Sequence, residues 1–211
     1  MKDIKALVRG FLAERNRDAV VDLLLQDRRV VPALNRLLFD ADPLIQWRAV
    51  EGLGWVAATD PFYLEKIIGR LFYTMNDDSG QVGWMTPYAL GEICYNDPDL
   101  VEDFFNIVIS AMDNEVFEAG AVWAVGRVAM RRPDLVEEQG PALRQRLFHP
   151  NPLVRGLAAQ AAARLGHGDA REKLRLLTRD QAVISIYEDG QLIETTVGRL
   201  AARALTDLNP D

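Results

Sequence analysis

The sequence repeats itself at intervals of 35 to 37 residues, and no other feature restricts its fold so strongly. A chain made of one recurring unit stacks those units side by side, each covering the apolar face of the next. Four segments align without gaps: residues Ile45 to Ala57, Val82 to Cys94, Phe117 to Ala129 and Val154 to Gly166, with starts 37, 35 and 37 residues apart. Numbering the positions of each segment from 1, positions 1, 5, 8, 9 and 12 are almost always small or apolar. At about 100° per residue these positions gather on one face of a helix. Position 10 holds Gly54, Gly91, Gly126 and Ala163, small residues that let neighbouring helices approach closely.

The helix starts repeat as well. With two residues intervening, Asp42, Ser79, Asn114 and Asn151 precede the four segments, and each has a side-chain oxygen able to accept from free N–H groups of a first turn. Pro43 and Pro152 follow two of them, at the helical position where a missing N–H costs nothing. Asp60-Pro61, Asp97-Pro98 and Arg132-Pro133, spaced 37 and 35 residues apart, open a second helix in each unit. The expected pairs are 3–13 with 17–27, 30–39 with 43–57, 61–75 with 80–95, 98–112 with 115–130, 133–148 with 152–165, and 169–178 with 195–207. Gly140-Pro141 should kink or split its helix. The fold class is therefore all-α, a right-handed α-α solenoid of five to six helix pairs. It forms one domain over residues 1–211, with units at 1–28, 29–58, 59–95, 96–130, 131–166 and 167–211. The last unit is interrupted. Two β-branched runs, 183–188 and 191–196, flank Asp189-Gly190, a dipeptide suited to a turn with positive φ at both residues. A β-hairpin over 182–196 is expected, packed as a cap on the stack or offering an edge to a partner.

At these residues the chain resembles the HEAT-repeat superfamily, and in particular the short HEAT-like repeats named after phycobilisome lyases. The run Val154-Arg155-Gly156-Leu157-Ala158-Ala159 matches that pattern best. The resemblance covers residues 30–166 clearly and implies an armadillo-like fold. It is poor for function, because the superfamily includes scaffolds, lyase subunits, a hydroxylase and DNA glycosylases.

Positions 3, 7 and 11 point away from the apolar stripe. In a HEAT-like stack they line the concave groove. They hold Trp47, Glu51 and Trp55 in the first segment, Trp84, Tyr88 and Glu92 in the second, Ala119, Trp123 and Arg127 in the third, and Gly156, Gln160 and Arg164 in the fourth. All four tryptophans of the chain fall on this one stripe. Exposed aromatics and arginines mark binding surfaces, so Trp47, Glu51, Trp55, Trp84, Tyr88, Glu92, Trp123, Arg127 and Arg164 are the candidate binding residues. Packing of the rings across the groove is the competing explanation.

Catalytic patterns are thin. His149 is followed by Pro150 and His167 by Gly168, which departs from the His-Glu dipeptides by which HEAT-like hydroxylases hold iron, so no metal and no cofactor is expected. Gly52 and Gly54 lie inside a repeat helix rather than in a phosphate loop. Cys94, the single cysteine, sits in an apolar run and reads as a buried thiol. The net charge of −7 disfavours nucleic acid and anionic membrane. Its distribution is uneven: residues 1–111 carry 11 Lys and Arg against 17 Asp and Glu, while residues 127–179 carry 11 against 5. A basic surface around Arg127, Arg131, Arg132, Arg144, Arg146, Arg155 and Arg164 is one consequence to test. No run is apolar enough for a signal peptide or a membrane span, and the expected address is the cytoplasm. The leading expectation is a non-enzymatic protein-binding scaffold or assembly factor gripping a partner segment. The resemblance also implies two alternatives: a lyase- or chaperone-like subunit acting on a tetrapyrrole-bearing protein, and a DNA glycosylase with concave tryptophans and an acid.

Overall fold

The computed structural model describes residues 3–75, 83–166 and 168–208, and the chain divides into two units, Met1–Asn106 and Ile107–Asp211. In the first unit, helices α1 (Ile4–Ala13), α2 (Arg17–Gln26), α3 (Val30–Leu37), α4 (Pro43–Thr59), α5 (Glu65–Thr74) and α6 (Thr86–Asn96) follow one another. Helix α4 packs against α1, α2, α3 and α6, and α5 packs against α6. The Asp42 side chain accepts from the Leu44 N–H at 2.9 Å, with Pro43 opening the helix, so this start follows the expected cap chemistry. Ser79 lies outside the described residues.

Helix α4 buries more than one stripe. Ile45, Ala49, Gly52, Leu53 and Val56 of the repeat pattern are buried, and so are Arg48, Val50, Gly54 and Ala57. Helices sit against several of its sides, and close approach depends on the absent side chains. A Cβ on Gly54 would lie 2.8 Å from Cγ of Glu92, and one on Gly52 would lie 2.8 Å from Cδ2 of Leu34. Buried Arg48 ties α4 to the end of α1, donating from Nη1 to the carbonyls of Leu12 and Ala13 at 2.9 and 2.6 Å. It satisfies orphan acceptors at a helix C-terminus, where positive charge is favoured.

The second unit takes most of α7 (Phe105–Ser110), then α8 (Glu118–Val128), α9 (Gly140–Arg146), α10 (Pro152–Arg164), α11 (Arg171–Leu177), strands β1 (Val183–Glu188) and β2 (Gln191–Thr196), and α12 (Val197–Asp207). Helix α10 packs between α8 and α12, with α9 and β1 also against it. A Cβ on Gly126 of α8 would meet Cβ of Ala161 of α10 at 2.9 Å. The Asn151 side chain caps α10 by accepting from Leu153 N–H at 2.9 Å, with Pro152 following. Continuing the numbering from Val197, α12 buries Val197, Ala201 and Ala204, and its capping residue Leu208 is buried as well, the counterparts of positions 1, 5, 8 and 12. The last helix therefore keeps the repeat phase despite the insertion.

The hairpin forms where expected. Val183 pairs with Thr196 and Glu188 with Gln191 in antiparallel register, and Asp189 and Gly190 both take positive φ, 50° and 82°. Ile184 and Ile186 are buried, and Ile184 covers Gly156, where a Cβ would stand 2.6 Å from its Cδ1.

The first helices of the later units differ from expectation. Pro61, Pro98 and Pro133 open short 3-10 turns (Pro61–Tyr63, Pro98–Leu100 and Pro133–Leu135) rather than continuous helices. The expected helix 98–112 becomes two 3-10 turns followed by α7, and the helix 133–148 becomes two 3-10 turns followed by α9. Pro141 sits in the first turn of α9. Without an N–H it cannot bond the carbonyl one turn back, so the α-helix must begin there. The same reasoning moves the start of α6 from residue 80 to Thr86, because Pro87 stands in its first turn.

These matched helices, with one buried pattern recurring in α4, α8, α10 and α12, make an all-α repeat fold carrying one small two-stranded antiparallel sheet. No helix among the described residues is long and apolar enough to cross a membrane.

Candidate functional site

In α4 and α8 the residues at positions 3, 7 and 11 are partly accessible. Trp47, Glu51 and Trp55 are half-buried along α4, and Ala119, Trp123 and Arg127 along α8. Most of their neighbours on the remaining faces are buried by packing. On α10 only Gln160 and Arg164 follow the pattern. Gly156 is buried beneath Ile184 and Leu200, so the hairpin and α12 cover what repeat phase alone placed in a groove.

The second segment departs furthest. Trp84 precedes α6 in a turn, because Pro87 fixes the helix start, so its direction is not set by helical phase. It is nevertheless 48% exposed, with its ring edge-on to Phe39 at 6.3 Å between centroids. Tyr88 and Glu92, expected on the accessible stripe, are buried at 8% and 7% exposure. Tyr88 packs edge-to-face on Trp47, centroids 4.6 Å apart at 67°, and burial pushes its phenol well above the ordinary tyrosine range. The Glu92 carboxylate accepts from Asn96 Nδ2 at 3.1 Å, while the same amide donates to the Glu92 carbonyl at 2.8 Å. The physical reason is close packing of α4 on α6: Gly54 leaves the space that Glu92 fills.

Glu51 is held by a residue that repeat phase did not single out. Arg15 forks onto its carboxylate, Nη2 to Oε1 at 2.6 Å and Nε to Oε2 at 3.1 Å. Arg15 itself stands at φ 52° just beyond α1, a left-handed conformation more usual for glycine or asparagine at a helix end. The single sequence signal for this pair was the placement of a basic residue 36 positions before Glu51.

The expected basic surface in residues 127–179 is largely neutralised. Arg132 pairs with Asp134 at 2.7 Å, Arg144 with Asp169 at 2.5 Å, and Arg155 with Asp180 at 2.7 Å. Arg146 is 9% exposed. It donates from Nε to Glu118 at 3.0 Å, and from Nη2 to the Met112 carbonyl at 2.7 Å and to Asp113 at 3.1 Å. Charge counting along a sequence cannot see partners that folding brings from 25 to 34 residues away. Among the described residues no group of three His, Cys, Asp or Glu side chains is placed to hold a metal ion. His149 donates from Nε2 to Glu118 at 3.1 Å and accepts at Nδ1 from the Asn151 N–H at 3.1 Å. His167 lies outside the described residues.

Arg127 and Arg164 are the two candidate groove arginines of this unit. They occupy position 11 on adjacent packed helices, α8 and α10. Arg203 of α12, ion-paired with Glu188 of β1, completes a row of three arginines across α8, α10 and α12. Although Arg164 is exposed, the surrounding protein withdraws water from its guanidinium. That partial desolvation and the repulsion of Arg127 lower its pKa from the ordinary arginine value, against weaker support from Glu188 and Asp207.

No family model matches the chain. An uncharacterized protein of Archaeoglobus fulgidus is 23% identical over 171 residues, covering 81% of this chain and 92% of the relative. Among solved structures, one engineered protein is similar across 99% of this chain and 97% of its own, with 17% identity and a TM-score of 0.53. A second engineered protein is similar over 97% of this chain and 57% of its own, at 15% identity and a TM-score of 0.51. A HEAT-like repeats protein from the archaeon Thermococcus onnurineus is similar over 97% of this chain and 80% of its own, at 13% identity and a TM-score of 0.44. At these identities the two engineered structures speak for a shared fold alone, and that fold is the helical repeat described above.

Proposed function

We propose that this chain is a HEAT-like, non-enzymatic binding module that holds a segment of a partner protein against the aromatic face of its first unit. The observation that carries the reading is Trp84, 48% exposed beside Phe39. Tyr88 follows four residues later and supports the half-buried Trp47 ring. A large ring held half out of water by a rigid neighbour is a preformed anchor, and such aromatics contribute most of the affinity in protein interfaces. The acids of this face are engaged, Glu51 by Arg15 and Glu92 by Asn96. That favours a recognition surface over the base-excising reading, which needs an acid available to the substrate.

The test compares wild type with Trp84→Ala. Truncation of a half-exposed ring should leave the helical circular dichroism unchanged and shift the melting temperature by only a few degrees, roughly the response to 1–2 kcal/mol. The same change should weaken capture of a reproducibly co-purifying protein by at least about tenfold, corresponding to 1.4 kcal/mol or more. Equal capture by the two proteins would refute the role of this face. Unfolding of the variant, with native tryptophan fluorescence shielded from acrylamide, would make Trp84 a packing residue instead.

A further inference from the structure

The second unit carries a cleft whose apolar lining folding leaves partly uncovered. Its volume is about 400 Å³, and it lies between the turn after α9, with Leu147, Phe148 and Pro150, and the end of α11, with Leu176 and Leu177. Leu147 and Leu177 are buried and form the floor, whereas Phe148 is 56% exposed and Leu176 60%. One exposed apolar side chain is ordinary on a protein surface. Two large ones lining the same cavity make a patch of the kind that a partner covers.

Both walls are tied in place. Arg155, at one end of the cleft, donates to the carbonyls of His149 and Pro150 at 2.7 and 2.9 Å and pairs with Asp180 at 2.7 Å. Asp180 also accepts from the Ala182 N–H at 2.9 Å, and His149 is held by Glu118 and Asn151. The polar end of the cleft is thus satisfied internally, and a ligand would meet walls that are already formed. The rim differs, because it carries a cation without a counter-charge. The Lys173 ammonium lies 5.3 Å from the centre of the Phe148 ring, and Lys173 stands three residues before Leu176 on the same side of α11. Among the described residues its hydrogen bonding is one long contact, 3.5 Å to the Arg144 carbonyl. The nearby acids are already engaged, Asp180 by Arg155 and Asp169 by Arg144.

We propose that this cleft docks a peptide segment of a partner protein that presents one large apolar side chain flanked by acidic residues. The apolar side chain enters between Phe148 and Leu176 and rests on Leu147 and Leu177. A flanking carboxylate meets Lys173, which a basic flank would instead oppose. The inference adds a second contact to the chain read as a binding module. It shares no residue with the Trp84 face, so either can fail alone.

The experiment follows methyl NMR spectra of the full chain titrated with the amidated pentapeptide Glu-Glu-Phe-Glu-Glu at physiological salt, where long-range charge effects are screened. Glu-Glu-Ser-Glu-Glu tests the apolar residue, Lys-Lys-Phe-Lys-Lys the charge, and hexanoate a free aliphatic carboxylate. The methyls of Leu147, Leu176 and Leu177 should shift to saturation, with the first peptide binding at least about fivefold more tightly than each of the other three ligands. Leu176→Ser should weaken that peptide at least about fivefold and leave the melting temperature unchanged, because the side chain is exposed in the free protein. Lys173→Gln should bring the acidic and basic phenylalanine peptides within about twofold of each other. Leu25→Ser, the same change at an exposed site on α2, and Trp84→Ala should each alter binding less than about twofold. The proposal is overturned if the three leucines do not shift at millimolar peptide, or if the serine peptide, the lysine peptide or hexanoate binds as tightly. Shifts confined to the first unit would overturn it while leaving the Trp84 reading intact. A melting temperature lowered by several degrees in Leu176→Ser would make that residue part of the packing and overturn it as well. So would a dimer of the free chain that Leu176→Ser dissociates, since a second copy would then be the occupant.

Discussion

Gly126→Ala is the most direct test of why the repeat carries a small residue at its tenth position. The added Cβ would stand 2.9 Å from Cβ and 3.0 Å from Cα of Ala161, where carbon–carbon contacts normally relax to about 3.5–4.0 Å. Neither atom belongs to a side chain that can rotate aside, so α8 and α10 must part along their line of closest approach. Overpacking of this kind costs about 1–3 kcal/mol, offset by about 0.8–1 kcal/mol gained when alanine replaces glycine inside a helix. The net expectation is a loss of about 0–2 kcal/mol. Gly10→Ala is the internal control: the site is exposed in α1 and a Cβ there meets nothing within 4 Å, so it should gain about 0.5–1 kcal/mol. Urea unfolding followed by circular dichroism should therefore separate the two variants by about 0.5–3 kcal/mol. A third protein, Gly126→Ala with Ala161→Gly, removes the Cβ–Cβ contact while leaving the one to the Ala161 Cα, and should show favourable coupling between the two sites. If Gly126→Ala and Gly10→Ala stabilise equally, close helix approach is not what this glycine provides.

Three further outcomes follow from the geometry. Replacing Asp189 and Gly190 together by alanine forces positive φ on two residues that disfavour it and should destabilise the hairpin by on the order of 1–3 kcal/mol; undiminished amide protection at Ile184 and Ile186 would contradict this. Arg146→Ala leaves the enclosed Glu118 carboxylate without its guanidinium and should cost about 3–5 kcal/mol, with partial recovery in a double variant carrying Glu118→Gln; a loss below about 1 kcal/mol would mean that water replaces the arginine. Hydrogen bonds from the Arg29 side chain and backbone hold the Asp27 carboxyl at about 2, below its ordinary 3.8. A folded-state value below the unfolded one means that its support is present above pH 3.8 and is lost as pH falls through about 2, so a carboxyl-carbon NMR titration with a midpoint near the ordinary value would refute the pairing.

The amino-acid sequence determined the repeat, the apolar positions and the hairpin, because each is a local or periodic consequence of residue type. The caps at Asp42 and Asn151, the close approach at Gly126 and the positive φ at Asp189-Gly190 were all legible before any coordinates. Even the split before α9 could be foreseen, since a proline removes a specific donor. Accessibility was not legible in the same way. Phase along one helix states which side chains share a direction, not what a neighbouring element places there. Gly156 points into the hairpin, Tyr88 and Glu92 are enclosed by α4, and Trp84 leaves the helix altogether because Pro87 begins it. Charge was the least legible of all. Arg146 and Arg155 look identical to Arg164 in a sequence, yet folding brings Glu118 and Asp180 to the first two and sets Arg127 against the third. A charge's energy depends on what stands within a few ångströms of it and on how much water remains, and only the tertiary structure decides either.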